Sequence, residues 1–325
     1  MATDLLSRLL TRSTLYRAFQ RVWENGGCRG ADGVTVGDFR DRLEWEIDSL
    51  QDSLLRRAYQ PLPLLRFPVP KASGSGERYL SVPTVRDRVL QSAVYLVTKN
   101  LFEAEFEDSS YAYRQGRSVR QAVAKLRELR DAGYRWLLDA DVSGFFDRIP
   151  HAPLLARLAA LGLPPYVEHL FALWVESEVY DGRSVRRLTQ GIPQGSVVSP
   201  MLANLYLDRL DEQLAAAGLV AVRYADDFAV LCRSEPAAEA ALEVTDDLLE
   251  ALELDLNREK TEIRSFDQGF KFLGALFVGD SVFLPLERAK DRDFTPRLPP
   301  PLNLQTYLEL RQSPAAPAAL PAGEE

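Results

Sequence analysis

The sequence predicts an α+β fold with a small, largely antiparallel sheet, and three observations lead there. Segments with apolar residues at three- and four-residue spacing alternate with short β-like runs. The β-like runs come in an order that makes pairs of them hairpins. The chain has 325 residues, 46% apolar and 26% charged, which is ample material for a core in one or two domains.

Taken in order, residues 1 to 60 read as helices, "LLSRLLTRSTLYRAFQRVW" and "VGDFRDRLEWEIDSLQDSLLRRAY", around the glycine-rich loop "ENGGCRGADG". "PLPLLRFPVPKASGSGERYLSVPT" reads as two short strands around the turn "ASGSGE". A helix, "VRDRVLQSAVYLVTKNLFEAEF", a loop, "SSYAYRQGRS", and a helix ending at Gly133 follow. "RWLLDADVSGFFDRI" is a strand of nearly unbroken apolar character that carries Asp139 and Asp141. After Pro150 come two helices and a charged hairpin near "EVYDGRSVRRL". "SPMLANLYLDRLDEQLAAAG" is a helix with Ser199 as its expected cap, Pro200 in its first turn and Gly218 as its stop. The hairpin "RYADDFAVLCRS", the helix "AAEAALEVTDDLLEALEL" and two last strands, "KTEIRSF" and "FKFLGALFV", complete the core. From about Asp280 the chain turns rich in Pro and Ala and reads as an extended tail or linker with one short helix.

The bulk numbers narrow the function classes. No apolar run approaches the roughly twenty residues of a membrane span, and the amphipathic start is interrupted by Arg, so an intracellular, cytoplasmic protein without a membrane is expected. Cys28 and Cys232 lie far apart with no His at metal spacing, which suggests neither a disulfide framework nor zinc. The net charge of -8 argues against a surface that coats nucleic acid throughout. Bases nonetheless concentrate between Arg56 and Arg135, and acids between Glu235 and Glu262. That asymmetry suits a channel for a polyanion, and equally suits ordinary solvated helix faces.

Asp226 and Asp227 stand side by side within an apolar, strand-like run. Two readings compete: a solvated hairpin tip, or ligands of a divalent cation that offsets their repulsion. The second requires another carboxylate. Asp141 is the best candidate, on a strand whose neighbours Leu137, Leu138 and Val142 imply burial. Asp139 shares its face by strand alternation, and Asp147 lies beyond the strand; either also reads as a plain surface acid. Three such carboxylates suit phosphoryl transfer assisted by two metal ions held about 4 Å apart. Lys71 and Arg78, flanking the "ASGSGE" turn, supply cations that a triphosphate needs.

These segments together resemble the bacterial, group II intron-like reverse transcriptases. "YADDF" is similar to the family's metal-binding hairpin, "DADVSGFFDRIPH" to its first carboxylate strand, and "TQGIPQGSVVSPMLANLYLDRLD" to its nucleotide- and template-contacting segment. "LNREKTEI" and "FKFLG" match the motifs that follow, and "VPKASGSGERYLSVPTVRDRVLQ", "YRQGRSVRQAV" and "NGGCRGADGVTV" the upstream ones. The resemblance implies a right-hand polymerase with an N-terminal helical extension over 1–60, fingers over 61–135, a palm over 136–280 and a tail over 281–325, the helical thumb being absent or truncated. It assigns Asp141, Asp226 and Asp227 to two Mg²⁺ ions, for which Mn²⁺ can substitute. Lys71 and Arg78 fall on triphosphate-binding positions, Phe146 beneath the sugar as a barrier to a 2′-hydroxyl, Gln194 and Gly195 at the incoming nucleotide and template base, and Lys260 where it donates a proton to pyrophosphate. The implied partners are an RNA template, a DNA or RNA primer and dNTPs.

A net charge of -8 and a short, Pro-rich end depart from intron maturases, which are basic and continue into further modules, and the retron signatures are absent. The reading is an RNA-directed DNA polymerase of a CRISPR spacer-acquisition module or another anti-phage defence system, with integrase proteins or another partner replacing the thumb. Group II intron and retron enzymes and a catalytically silent RNA-binding scaffold are the alternatives.

Overall fold

The computed structural model describes residues 2–71, 76–284 and 296–312. The first part is helical, with α1 (Ala2–Leu9), α2 (Arg12–Asn25), α3 (Val36–Asp41) and α4 (Leu43–Leu55), followed by β1 (Leu64–Pro70), β2 (Glu77–Val82), α5 (Val85–Glu105) and α6 (Val119–Asp131). Next come β3 (Trp136–Asp141), α7 (Phe145–Arg148), α8 (His151–Ala160), α9 (Pro165–Val175), β4 (Glu178–Tyr180), β5 (Val185–Arg187) and α10 (Ser199–Ala216). The remainder is β6 (Val220–Tyr224), β7 (Asp227–Cys232), α11 (Glu235–Ala251), β8 (Glu262–Ser265), β9 (Phe270–Phe272), β10 (Ala275–Val278), β11 (Ser281–Phe283) and α12 (Leu304–Gln312).

The apolar run of β3 forms the middle of an antiparallel sheet of order β6-β7-β3-β8. Both faces of that sheet are covered, which is why β3 and β7 lack a clean polar-apolar alternation. Leu138, Ala140, Phe228 and Val230 join the large core with α5, α8 to α10 and α11, whereas Leu137, Ala229 and Leu231 pack with α6 and the phenylalanines Phe266, Phe270 and Phe277. A second sheet, β2-β1-β4-β5, is antiparallel except where β1 meets β4 in parallel, Leu64 beside Val179. The sheet over 61–135 is thus completed by a hairpin from 178–187. A third sheet orders as β11-β10-β9.

The structure corrects several element boundaries. The expected single helix after residue 35 divides at Arg42, whose φ of -120° ends α3 and starts α4, with Thr35 and Asp38 forming a capping box at the front. The strand bearing Asp141 stops there, and Phe146 lies on the one-turn α7. "FKFLGALFV" is a tight hairpin, because Leu273 and Gly274 both take positive φ, 50° and 79°. Ser199 is the first residue of α10 and caps nothing; Val198 precedes it with no side-chain bond. Part of the expected extended tail packs back: Leu302 N–H donates to the Ala31 carbonyl at 2.7 Å, and Leu298, Leu302, Tyr307 and Leu310 cover the second sheet's core. Tyr307 Oη and Arg311 Nε also reach Glu178, at 2.8 and 3.2 Å. Apolar residues spaced among the prolines explain the docking. Residues 285–295 and 313–325 of that tail, and the tip of the "ASGSGE" turn, lie outside the described residues. Among the described residues no helix is long and apolar enough to cross a membrane.

Candidate active site

Strand register brings the carboxylates together. β3 and β7 pair so that Asp141 stands directly opposite Asp227. β6 and β7 are joined through Ala225 and Asp226 alone, with Tyr224 paired to Asp227. The turn requires Ala225 to adopt φ 61°, a left-handed conformation that costs a non-glycine residue roughly 1–2 kcal/mol. Three acids therefore share one end of the sheet.

The chain after α11 wraps over that end. Asn257 N–H donates to the Asp141 carbonyl and Ser143 N–H to the Asp255 carbonyl, both at 2.8 Å. This places Lys260 Nζ 3.0 Å and Asn257 Nδ2 3.1 Å from Asp141 Oδ2, each donating to it. Burial works against the Lys260 charge, but the bond to Asp141 and the charges of Asp227 and Asp226 raise its pKa on balance. Partial burial, then the charges of Asp226 and Asp141, push the Asp227 carboxyl up to about 7. Burial, with Asp141 adding, also raises Asp226. Asp139 is pushed up to about 6, again by burial and then by Glu262 and Asp141 against the pull of Arg264.

A cluster of hard oxygen donors that resist losing their protons is suited to a divalent cation, which supplies the missing charge. Among the described residues no three acidic, His or Cys side chains are already gathered around one point that could hold a metal ion. The Asp141 oxygen is instead turned to Lys260 and Asn257.

Of the remaining expected site residues, three meet at one loop. Ile192 N–H donates to the Phe146 carbonyl at 2.7 Å, and Ser81 N–H on β2 donates to the Gln194 carbonyl at 2.7 Å. Gln91 Oε1 fixes the loop's end, accepting from Ser196 Oγ and Val197 N–H, each at 3.0 Å. Glycine is required at two points. A Cβ on Gly191 would stand 2.7 Å from the Asp147 carbonyl oxygen, and Gly195 has φ +118° with the Ser81 carbonyl oxygen 3.2 Å from where its Cβ would be. Phe146 is half-buried against Phe145, edge to face at 5.6 Å, so it is neither wholly core nor wholly free. Asp147 is exposed on α7, 3.5 Å from Gln194 Nε2.

Lys71 and Arg78 are exposed at the tip of the β1-β2 hairpin, where Lys71 N–H closes on the Gly76 carbonyl at 3.0 Å. Among the described residues neither is brought into contact with the three aspartates. The basic stretch that follows is partly neutralised within the fold: Arg114 pairs with Glu103, Lys125 with Glu128 and Arg130 with Asp131.

Sequence reasoning passed over Asn257 and Tyr113. Asn257 sits in the quoted "LNREKTEI" segment and opens the turn that ends at the lysine, Lys260 N–H donating to its carbonyl at 3.1 Å, a turn position that an asparagine could have marked. Tyr113, at φ 60° and 53% exposed, feels the charges of both site ends: burial, then Asp226 and Tyr224, raise its phenol pKa while Arg78 lowers it. Its signal was an aromatic in a loop, too common to act on.

Comparison with known proteins agrees with this architecture. Protein YkfC of Escherichia coli K12 is 32% identical over 284 residues, 75% of this chain and 74% of its own length. The group II intron-encoded protein LtrA of Lactococcus lactis subsp. cremoris is 29% identical over 213 residues, which cover 65% of this chain but only 35% of LtrA. Among solved structures, telomerase from Candida albicans shares the fold, with a TM-score of 0.56 at 13% identity over 77% of this chain and 50% of that one. A chain of a partial Cas6-RT-Cas1–Cas2 complex is 27% identical over 76% of this chain and 42% of that one, with a TM-score of 0.47. Residues 69–277, spanning both the β1-β2 hairpin and the aspartate-bearing sheet, match the family model for reverse transcriptase, and the chain belongs to that family of RNA-dependent DNA polymerases.

Proposed function

We propose that this chain extends a primer 3′ end with dNTPs on an RNA template, using two Mg²⁺ ions held by Asp141, Asp226 and Asp227. Reverse transcriptases generally use divalent metal ions. Bound at these carboxylates, such ions lower the pKa of the attacking hydroxyl and neutralise the leaving pyrophosphate, with Mn²⁺ able to take the same oxygens. The observation that carries the reading is the register that faces Asp141 with Asp227 one residue from Asp226.

The chain's own residues then divide the work. Lys260, charged and hydrogen-bonded to Asp141, orients that carboxylate and is the proton source for pyrophosphate. Phe146 excludes a 2′-hydroxyl by bulk. Gln194 and Gly195 meet the incoming nucleotide and the template base on a loop tied to β2. Lys71 and Arg78 grip the triphosphate from the hairpin tip. The setting we favour is a CRISPR spacer-acquisition module or related defence system, with integrase proteins or another partner adding grip on the duplex. What supports it is the net charge of -8, ill suited to holding a large folded intron RNA alone.

Extension of a DNA primer on poly-riboadenylate with labelled dTTP and Mg²⁺ tests the core of this reading. Synthesis by the wild type that is lost in Asp226→Ala/Asp227→Ala is the expected result. Equal synthesis by both would refute the metal assignment. No synthesis by the wild type, alone or with integrase proteins, would favour a silent scaffold.

A further inference from the structure

Arg223 ends as a fully buried cation directly behind the hairpin, 0% exposed and flanked by buried Val222. Its guanidinium reaches three groups. Nε donates to Asp211 Oδ1 and Oδ2 at 2.9 and 3.0 Å, and Nη2 donates to Oδ2 as well. Nη1 donates to Asn204 Oδ1 at 3.2 Å and to the Ala225 carbonyl at 3.1 Å. Asp211 and Asn204 are themselves buried on α10. Asn204 turns its amide nitrogen to the Ala112 carbonyl at 2.7 Å, next to Tyr113. The backbone of Arg223 completes the frame, donating to the Ser109 carbonyl at 2.8 Å and accepting from Tyr111 N–H at 2.9 Å.

A buried ion pair is weak evidence for stability, because desolvating both charges offsets their attraction. Its value here is geometric. Ala225 holds a left-handed conformation that an alanine does not favour, and its carbonyl is the group Arg223 holds. We propose that Arg223, with Asp211 and Asn204, is a positioning device: it latches the strained turn to α10 and so fixes where Asp226 presents its carboxylate. The same helix thereby ties the turn to the loop bearing Tyr113. The proposal rests on the metal-binding reading of Asp226, and the planar fork of Arg matters because it serves the carboxylate and the carbonyl together.

The test uses the full chain and two variants, with melting, primer extension and Mn²⁺ binding by electron paramagnetic resonance measured on each. Arg223→Met/Asp211→Leu replaces the pair by apolar groups; the gain from removing two desolvated charges is offset by the Asn204 Oδ1 and Ala225 carbonyl left without a donor, so the variant is expected to fold with a melting temperature within several degrees of wild type. Its turnover and its Mn²⁺ affinity should nevertheless fall about 10- to 100-fold, as when a group that orients a metal ligand is lost. Arg223→Lys, which keeps the charge but not the fork, should lose turnover while dTTP KM stays near wild type. If the double variant folds and retains wild-type turnover and Mn²⁺ affinity, the latch is merely structural and the proposal falls. If it fails to fold, Arg223→Lys decides by the same two readouts. A wild type that binds no Mn²⁺ and extends no primer would instead overturn the metal-site reading beneath the proposal.

Discussion

The two ends of the candidate site are built on opposite principles. The aspartate end is set in a sheet covered on both faces, with Asp141 held by Lys260 and Asn257 and the Asp226 turn held from behind by Arg223. The Lys71 and Arg78 end is a two-stranded hairpin tip, exposed, with neither side chain in an ion pair among the described residues. Rigid placement suits groups that must meet reacting atoms, while long exposed cations suit a charge that arrives and leaves with each substrate. The contrast predicts that damage to the first end removes chemistry and damage to the second weakens binding.

The largest effect is expected for Asp227→Asn, a loss of turnover of about 1,000-fold or more, roughly 4 kcal/mol. Its stability should also change with pH in a defined way. Because Asp227 has a folded pKa of about 7 against an ordinary 3.8, the folded chain holds that proton more tightly than the unfolded one. This contribution to stability is intact below about pH 4 and is lost as pH rises through 7, so the metal-free wild type should melt lower at pH 8 than at pH 5 by more than Asp227→Asn does. Thermal melts of both proteins in chelator check this, and identical pH slopes would show that the Asp227 carboxyl is not raised by its burial and its neighbours.

A smaller effect is expected from Phe146→Ala. It should leave dNTP turnover within a few-fold of wild type but let ribonucleotides in, lowering discrimination by about 10- to 100-fold. Competing dTTP and UTP on one template measures it, and an unchanged preference would take the barrier role from Phe146. The smallest effect belongs to the exposed end. Arg78→Ala should raise the KM for dNTP about tenfold with kcat little changed, as lost ground-state binding does. Steady-state kinetics would break the comparison if kcat fell as far as for the aspartates.

Much of this was legible in local sequence. The apolar runs around Asp141 and Asp227 marked both strands, and Asp139 was expected on the face of Asp141, as strand alternation requires. What stayed hidden depended on distant residues or on single backbone angles. Nothing in "EVY" announces a parallel pairing with Leu64 and Leu65, because the partner's edge decides it. Residues that take left-handed angles without being glycine, Ala225 and Leu273, give no compositional cue. Nothing in the sequence singles out Arg223, and only the fold shows that α10 carries its partners.

The parallel junction of β1 with β4 also governs how the molecule is made. A chain synthesised from its N-terminus presents β1 and β2 long before Val179 and Tyr180 exist to cover the edge of β1. Until then an apolar strand edge stands open, and closing it requires a contact of high sequence separation, which is slow. The hairpin bearing Lys71 and Arg78 is thus the first pair of strands translated yet stays incomplete until β4 and β5 have been made, and expression at low temperature or with chaperones should favour soluble protein over edge-to-edge association.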